Sequence, residues 1–207
     1  MGSKKKTKGV YDSEAGYDAY SANYDKKSGL LDTFDDGEFL QMLGNVRGKK
    51  ILNIGCGTGR DTAKLLNKDA EIICMDVSEG MLEVHKKKFP SIKTVRGSSD
   101  ALPFEDDSFD IVFMSFLIVH LKNLRESFNE AYRVLKTEGM LVLNNINQRK
   151  APNVDVGNRE LIKIHSYYHR PQNVINALEE AFLKIEDEKF IYYRKTWINQ
   201  IVKARKL

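Results

Sequence analysis

Cysteine is scarce: Cys56 and Cys74 are the only two in 207 residues, with no CxxC pair and no cysteine–histidine array. That spacing argues against a structural zinc site, and no metal is expected. Each cysteine lies in or beside an apolar, strand-like run, where a free thiol behaves as a small hydrophobe. Long hydrophobic runs are missing as well. The longest, IVFMSFLIVHL from Ile111 to Leu121, falls well short of the roughly 20 residues that span a bilayer. The charged start MGSKKKTKG has no apolar segment behind it, so no secretory signal is read there and a cytoplasmic location is expected. Nor does one sign of charge dominate. Lys+Arg 33 against Asp+Glu 29 leaves +4, while Lys4, Lys5, Lys6 and Lys8 at the head and Lys203, Arg205 and Lys206 at the tail hold seven positive charges. The near-neutral body between them disfavours a nucleic-acid-coating surface.

What is present is an alternation. Lys50–Gly55, Ala70–Val77, Ile92–Arg96, Phe109–Ser115 and Met140–Asn145 read as strands. Between them, helices are expected over Arg60–Asn67, from a Ser78 cap to Lys88, and from Asn123 to Lys136. Strands with few polar positions imply a sheet covered on both faces. A helix opened by Asp35, Asp36 and Glu38 is expected to run to Val46, with Gly48 as its stop. Asn147 to His169 reads as a polar connection, Pro171 opens another helix, and Lys184–Tyr193 and Trp197–Arg205 read as a closing hairpin. The fold class is therefore α/β, a doubly wound, mostly parallel sheet with an antiparallel end. Tyr17, Tyr20 and Tyr24 are spaced to share one helix face.

The stretch ILNIGCGTGRD, residues 51–61, sits where such a sheet binds its ligand, at the carboxyl end of the first parallel strand. Glycines there allow positive φ and a close approach of ligand to main chain. No Lys-Ser or Lys-Thr follows Gly59, which disfavours a triphosphate-binding loop. Arg60 stands where a dinucleotide fingerprint has its third glycine, which disfavours a pyrophosphate. Asp76, at the end of the next strand, can accept hydrogen bonds from both hydroxyls of a ribose.

ILNIGCGTGRD, MDVSEGML (75–82) and GSSDALPFEDDSFDIVFMSFLIVHL (97–121), in this order and spacing, resemble class I S-adenosylmethionine-dependent methyltransferases. The match is to the methyltransferase-11 group, which includes ubiquinone- and menaquinone-type C-methyltransferases. An N-terminal segment ending in Asn23-Tyr24-Asp25 also fits. The resemblance implies a seven-stranded Rossmann-like fold over residues 11–207, preceded by a disordered basic head at residues 1–10. It also implies a helical lid, residues 11–46, that closes over the cofactor.

It further implies that Gly55, Cys56 and Gly57 lie under the methionyl part of S-adenosylmethionine, that Gly59 packs the following helix, and that Asp76 binds the ribose. Val77 and Met81 would pack on adenine. Ser98 stands where the group usually has the acid that reads the adenine amino group, with Ser99 beside it, and Asn53 replaces another usual acid. Tyr24 is the first choice among the lid tyrosines for contact with the cationic cofactor, and Ser115 would lie beside the methyl group. Tyr11, Tyr20, Phe116, Asn145 and Tyr168 are expected at the acceptor. His120 is a candidate proton acceptor, and the pair His120 and Tyr24 is the catalytic expectation.

The expected function is transfer of a methyl group from S-adenosylmethionine to a small-molecule or peptide acceptor, aligned for in-line displacement. A non-catalytic module binding S-adenosylmethionine or S-adenosylhomocysteine is the alternative, and a nicotinamide oxidoreductase a third reading. Nucleic acid is disfavoured as an acceptor because no aromatic–basic platform or added module is read in the sequence.

Overall fold

The computed structural model describes residues 6–27, 33–35 and 37–207. The chain runs β1 (Lys6–Tyr11), α1 (Ser13–Tyr24), α2 (Glu38–Leu43), β2 (Lys50–Ile54), α3 (Arg60–Leu65), β3 (Glu71–Asp76), α4 (Glu79–Lys88) and β4 (Lys93–Arg96). It continues through β5 (Phe109–Met114), α5 (Leu124–Val134), β6 (Leu135–Ile146), β7 (Asn153–Gly157), β8 (Glu160–Ile164), α6 (Pro171–Glu180), β9 (Leu183–Tyr193) and β10 (Thr196–Lys206).

β2, β3 and β5 are buried along nearly their whole length, and successive residues serve opposite faces. Leu52, Ile54, Met75, Val112 and Met114 pack with Phe128 and Val134 of α5 and with Val174 and Leu178 of α6. Ile51, Cys74, Ile111 and Phe113 pack on the other side with Phe39 and Leu43 of α2, Leu65 of α3 and Leu82 of α4. A sheet with no solvent face is the one that parallel crossovers build.

The main sheet has seven strands in the order β4-β3-β2-β5-β6-β10-β9. β2 pairs parallel with β3 and β5, β3 with β4, and β5 with β6, whereas β10 is antiparallel to both β6 and β9. The doubly wound sheet with an antiparallel hairpin is thus as expected. Its switch point lies at the carboxyl ends of β2 and β5, with Ile54 level with Met75 and Met114.

Several elements differ from expectation. Lys6–Tyr11 is a strand rather than part of a disordered head, because its backbone finds a parallel partner in β8 and Lys8 pairs with Glu160 at 2.7 Å. Met1–Lys5 lie outside the described residues, as does Asp36. The stretch 147–169 is no plain connection: β7 and β8 form an antiparallel hairpin, and with β1 a three-stranded sheet ordered β1-β8-β7. That small sheet carries α1, whose Gly16 sits so close to Ile164 that a Cβ would come within 2.7 Å of its Cγ1. α2 stops at Gly44, φ 66°, before reaching Val46 or Gly48. β6 begins at Leu135, directly after α5, not at Met140.

Candidate active site

The turn after β2 is held by main-chain bonds. Gly55 N and Cys56 N both donate to Met75 O, at 2.8 and 3.0 Å, and Gly57 N donates to Asp76 Oδ2 at 2.8 Å. Asp76 Oδ1 accepts from Ser78 N at 3.0 Å. The carboxylate thus links the turn to the start of α4, where Ser78 Oγ caps Met81 N at 3.0 Å as expected. Burial pushes the Asp76 carboxyl up from its ordinary value, and the amides of Ser78 and Gly57 oppose that by favouring the ionised form. Each oxygen keeps a second lone pair for an incoming hydroxyl.

Gly55, at φ 74°, lies under Leu117, whose Cδ1 would be 3.0 Å from an added Cβ. Gly59, at φ 93°, lets α3 close on α4, since a Cβ there would come 2.4 Å from Phe89 and 2.8 Å from His85. Arg60 opens α3 and turns back over the crevice. Its Nη2 donates to Asp61 Oδ2 at 2.9 Å and to Ser115 Oγ at 2.6 Å, and its guanidinium lies 4.5 Å from the centre of the Phe116 ring. Phe116 has φ 56°, a strained conformation for an aromatic residue, and is held there by Asn144 Oδ1, which accepts from its amide at 2.6 Å.

Helix α1 roofs this crevice. Asp18 Oδ1 accepts from Ser78 Oγ at 2.6 Å and from Gly80 N at 2.9 Å, placing a carboxylate on the first turn of α4, where the helix dipole favours it. At its far end Thr58 Oγ1 donates to Asp25 Oδ1 at 2.6 Å. Between these, Tyr17 Oη lies 2.7 Å from His120 Nε2, and the Tyr24 ring meets the rings of Tyr17 and Tyr20 edge-on at 6.1 and 5.5 Å.

His120 Nδ1 lies 2.8 Å from His165 O. A carbonyl can only accept, so the proton sits on Nδ1 and Nε2 accepts the Tyr17 hydroxyl. Burial holds the His120 imidazole below its ordinary value, opposed by the bond to His165. A depressed histidine value means neutrality favours the folded state above the free-imidazole pKa and stability falls as pH drops through the folded one. In a proton NMR titration the His120 ring resonance should therefore move only below the ordinary 6.5, and a midpoint at or above it would refute the assignment. Tyr17→Phe should loosen the roof by about 1 kcal/mol, the usual net worth of one hydrogen bond. Amide hydrogen exchange in α1 should speed up accordingly, and unchanged exchange would count against the tether.

Buried polar atoms flanking the glycine turn test whether a nucleoside with an amino-acid arm fits. Asn53 Oδ1 and Asp61 Oδ1 are buried acceptors with no hydrogen-bond partner among the described residues. An ammonium group is the donor such acceptors lack. With Asp76 for the ribose and the buried Arg60 cation for a carboxylate, the donor and acceptor set matches S-adenosylmethionine.

Comparison with known proteins agrees. Residues 52–143 match the methyltransferase domain family. A demethylmenaquinone methyltransferase of Lysinibacillus sphaericus is 30% identical over 166 residues, covering 75% of this chain and 69% of that protein. The chain belongs to the class I S-adenosylmethionine-dependent methyltransferases. S-Adenosylmethionine is accordingly the cofactor of this methyltransferase. A demethylmenaquinone methyltransferase of Clavibacter sepedonicus is 34% identical over 134 residues, 61% of this chain, and the chain spans only 55% of that relative's length. In fold, an S-adenosylmethionine-dependent methyltransferase from Mesorhizobium loti superposes with a TM-score of 0.71 at 19% identity, covering 84% of this chain and 99% of that one.

The structure brings Gly55, Cys56, Gly57, Asp76, Ser115, Phe116 and, from the roof, Tyr24 to the methyltransferase crevice, and it places several expected residues elsewhere. Met81 is 1% exposed and belongs to the core. Ser99 Oγ is turned inward to Ser127 Oγ at 2.8 Å, while Ser98 is exposed in a tight turn bridged to Ala101. Val77 stays at the crevice wall with its carbonyl accepting from Arg96. Asn145 is turned from the cleft: its Nδ2 donates to Gln200 Oε1 at 2.9 Å and to His169 O at 3.2 Å, because neighbouring residues of a strand take opposite faces and Asn144 has the crevice side. Tyr168 stacks under Arg149 at 4.6 Å and beside Trp197, Tyr11 is fixed in β1, and the buried Tyr20 borders a 280 Å³ cavity with Asp155 and Arg159 on the other side of α1. A larger cavity, 640 Å³, opens at the opposite end of the sheet around Lys50, Ile72 and Asp110. Tyr17 and Arg60 were not expected at the site, and of the asparagines ending the Met140–Asn145 strand, Asn145 rather than Asn144 was expected as the acceptor contact. Arg60 stands inside the glycine motif, yet only the pairing of β2 with β5 brings Ser115 to it.

Proposed function

We propose that this methyltransferase moves the methyl group of S-adenosylmethionine to a small planar acceptor bound beneath α1, by in-line displacement. The observation that supports this most directly is the polar latching of α1 across the carboxyl ends of β2, β3 and β5, with Tyr17 and Tyr24 above the glycine turn. Helix α1 then acts as a lid that opens to admit ligands, within one domain that also takes in β1; among the described residues no helix is long and apolar enough to cross a membrane.

The bound cofactor supplies the chemistry, a methyl group on a sulfonium. The protein's part is alignment and exclusion of water. Asp76 would hold the sugar, Arg60 would receive the carboxylate, and Asn53 and Asp61 would receive the ammonium. Tyrosine faces favour a cation without competing as nucleophiles. Burial raises the Tyr24 phenol, so its hydroxyl stays protonated and the ring acts as a wall rather than a base. An acceptor hydroxyl or acidic carbon gives its proton to Tyr17 Oη as the Tyr17 proton passes to His120 Nε2, a relay set by the 2.7 Å contact. Relatives bearing the name demethylmenaquinone methyltransferase point to a quinone-type ring as the first acceptor to try.

The test is turnover. Purified protein, S-adenosylmethionine carrying a labelled methyl group and a series of quinols, phenols and short peptides should yield a labelled small molecule. Labelling only of peptides would overturn the acceptor class. Tight S-adenosylhomocysteine binding without transfer to any acceptor would favour the binding-module reading.

A further inference from the structure

Beside the glycine turn three groups from three different elements converge. Cys56 comes from the turn itself, Cys74 from β3 and His85 from α4, and one donor atom of each lies within 4.8 Å of the other two. All three are buried, His85 and Cys74 completely. The Thr62 hydroxyl of α3 closes the remaining side, 3.3 Å from Cys74 Sγ and 3.0 Å from His85 Nε2. His85 Nδ1 is buried and has no hydrogen-bond partner among the described residues. It is the other ring nitrogen, Nε2, that faces the group.

We propose that Cys56, Cys74 and His85 form a binding site for a divalent d10 cation, zinc, with the Thr62 hydroxyl at its fourth side. Two thiols and an imidazole are the soft and borderline donors this ion takes. Charge selects the ion. Two thiols release their protons to solvent as the metal binds, and two thiolates with neutral imidazole and hydroxyl exactly cancel a divalent cation. A monovalent cation would leave a buried negative charge beside Asp76, which the core penalises. Apolar Leu65, Leu82 and Phe89 surround the cluster and keep it dry. Access is from the crevice, where Cys56 is 7% exposed. The bound ion would clip the cofactor turn to β3 and α4, a role independent of the acceptor and of catalysis.

Cobalt(II) is the probe, because thiolate ligation gives it a near-ultraviolet charge-transfer band and a tetrahedral visible spectrum. The reduced, metal-stripped full chain should take up one cobalt with both signatures, zinc should bleach them, and Cys74→Ser and His85→Gln should weaken cobalt binding by at least about tenfold. The only two cysteines in the sequence are Cys56 and Cys74, so the wild-type spectrum decides the matter even where a variant fails to fold. Absence of the charge-transfer band with saturating cobalt overturns the proposal. So does a band that Cys74→Ser leaves at full strength.

Discussion

Asp76→Ala is expected to weaken S-adenosylhomocysteine binding by on the order of 100-fold, about 3 kcal/mol, in isothermal titration. Two effects add. The ribose loses charge-assisted hydrogen bonds, each worth about 1.5–3 kcal/mol when donor or acceptor is ionised. The turn loses its anchor, since Gly57 N and Ser78 N now donate to the two oxygens of this one carboxylate. Asp76→Asn keeps one acceptor and should fall between the two. The comparison matters because an amide can hold Ser78 N but cannot at once satisfy Gly57 N and a second hydroxyl. Circular dichroism should be unchanged for both variants, because Asp76 takes part in the sheet, opposite Arg96 of β4, through its main chain alone, which a side-chain change leaves in place. Affinity within threefold of wild type would sink the ribose assignment and with it the placing of the cofactor.

The second large effect concerns folding. Gly59→Val should lower stability by about 2–5 kcal/mol, the sum of roughly 1–2 for a β-carbon in left-handed backbone and 1–3 for overpacking. The site has φ 93°, with Phe89 Cε2 at 2.4 Å and His85 Cδ2 at 2.8 Å from where the Cβ must go. Neither ring can retreat, since Phe89 and His85 pack on each other at 5.2 Å. Gly57→Ala provides the contrast. There φ is 52° and nothing lies within 4 Å, so only the backbone term applies, roughly 1 kcal/mol. Urea unfolding midpoints should separate the two variants clearly, and Phe89→Ala should partly rescue Gly59→Val. Equal losses at the two glycines would mean that α3 and α4 do not close as described.

The contrast between those glycines also marks how far a sequence can be read. The turn, the Ser78 cap and a carboxylate at the end of β3 beside that turn were legible because each follows from local chemistry, in a short span with one physical requirement. The β7–β8 hairpin was not. Its strands are short and half-exposed and carry charges, and the edge of β8 is finished by β1, some 150 residues earlier, as in the pairing Lys6↔Glu160. Nothing near either segment announces the other. Asn145 was preferred over Asn144 for a similar reason: which of two adjacent asparagines faces the crevice depends on the pleat of β6, set by its pairing with β5 and β10. Tyr17 and His120, 103 positions apart, became a pair only once α1 was laid across the sheet. The cluster at Cys56 is the clearest case, for its spacing follows no local rule and is made by the pairing of β2 with β3 and the packing of α4 against them.

The position of β10 has a consequence for how the chain reaches this state. Although it follows β9 in sequence, it lies between β9 and β6, so β9 has no neighbour in the sheet until β10 is in place. During biosynthesis the parallel half can assemble early, but it must wait with the apolar flank of β6 unzipped until the last hairpin emerges and slots in as a unit. That interval of bare strand edge is when self-association would compete, and a chaperone's protection would count most.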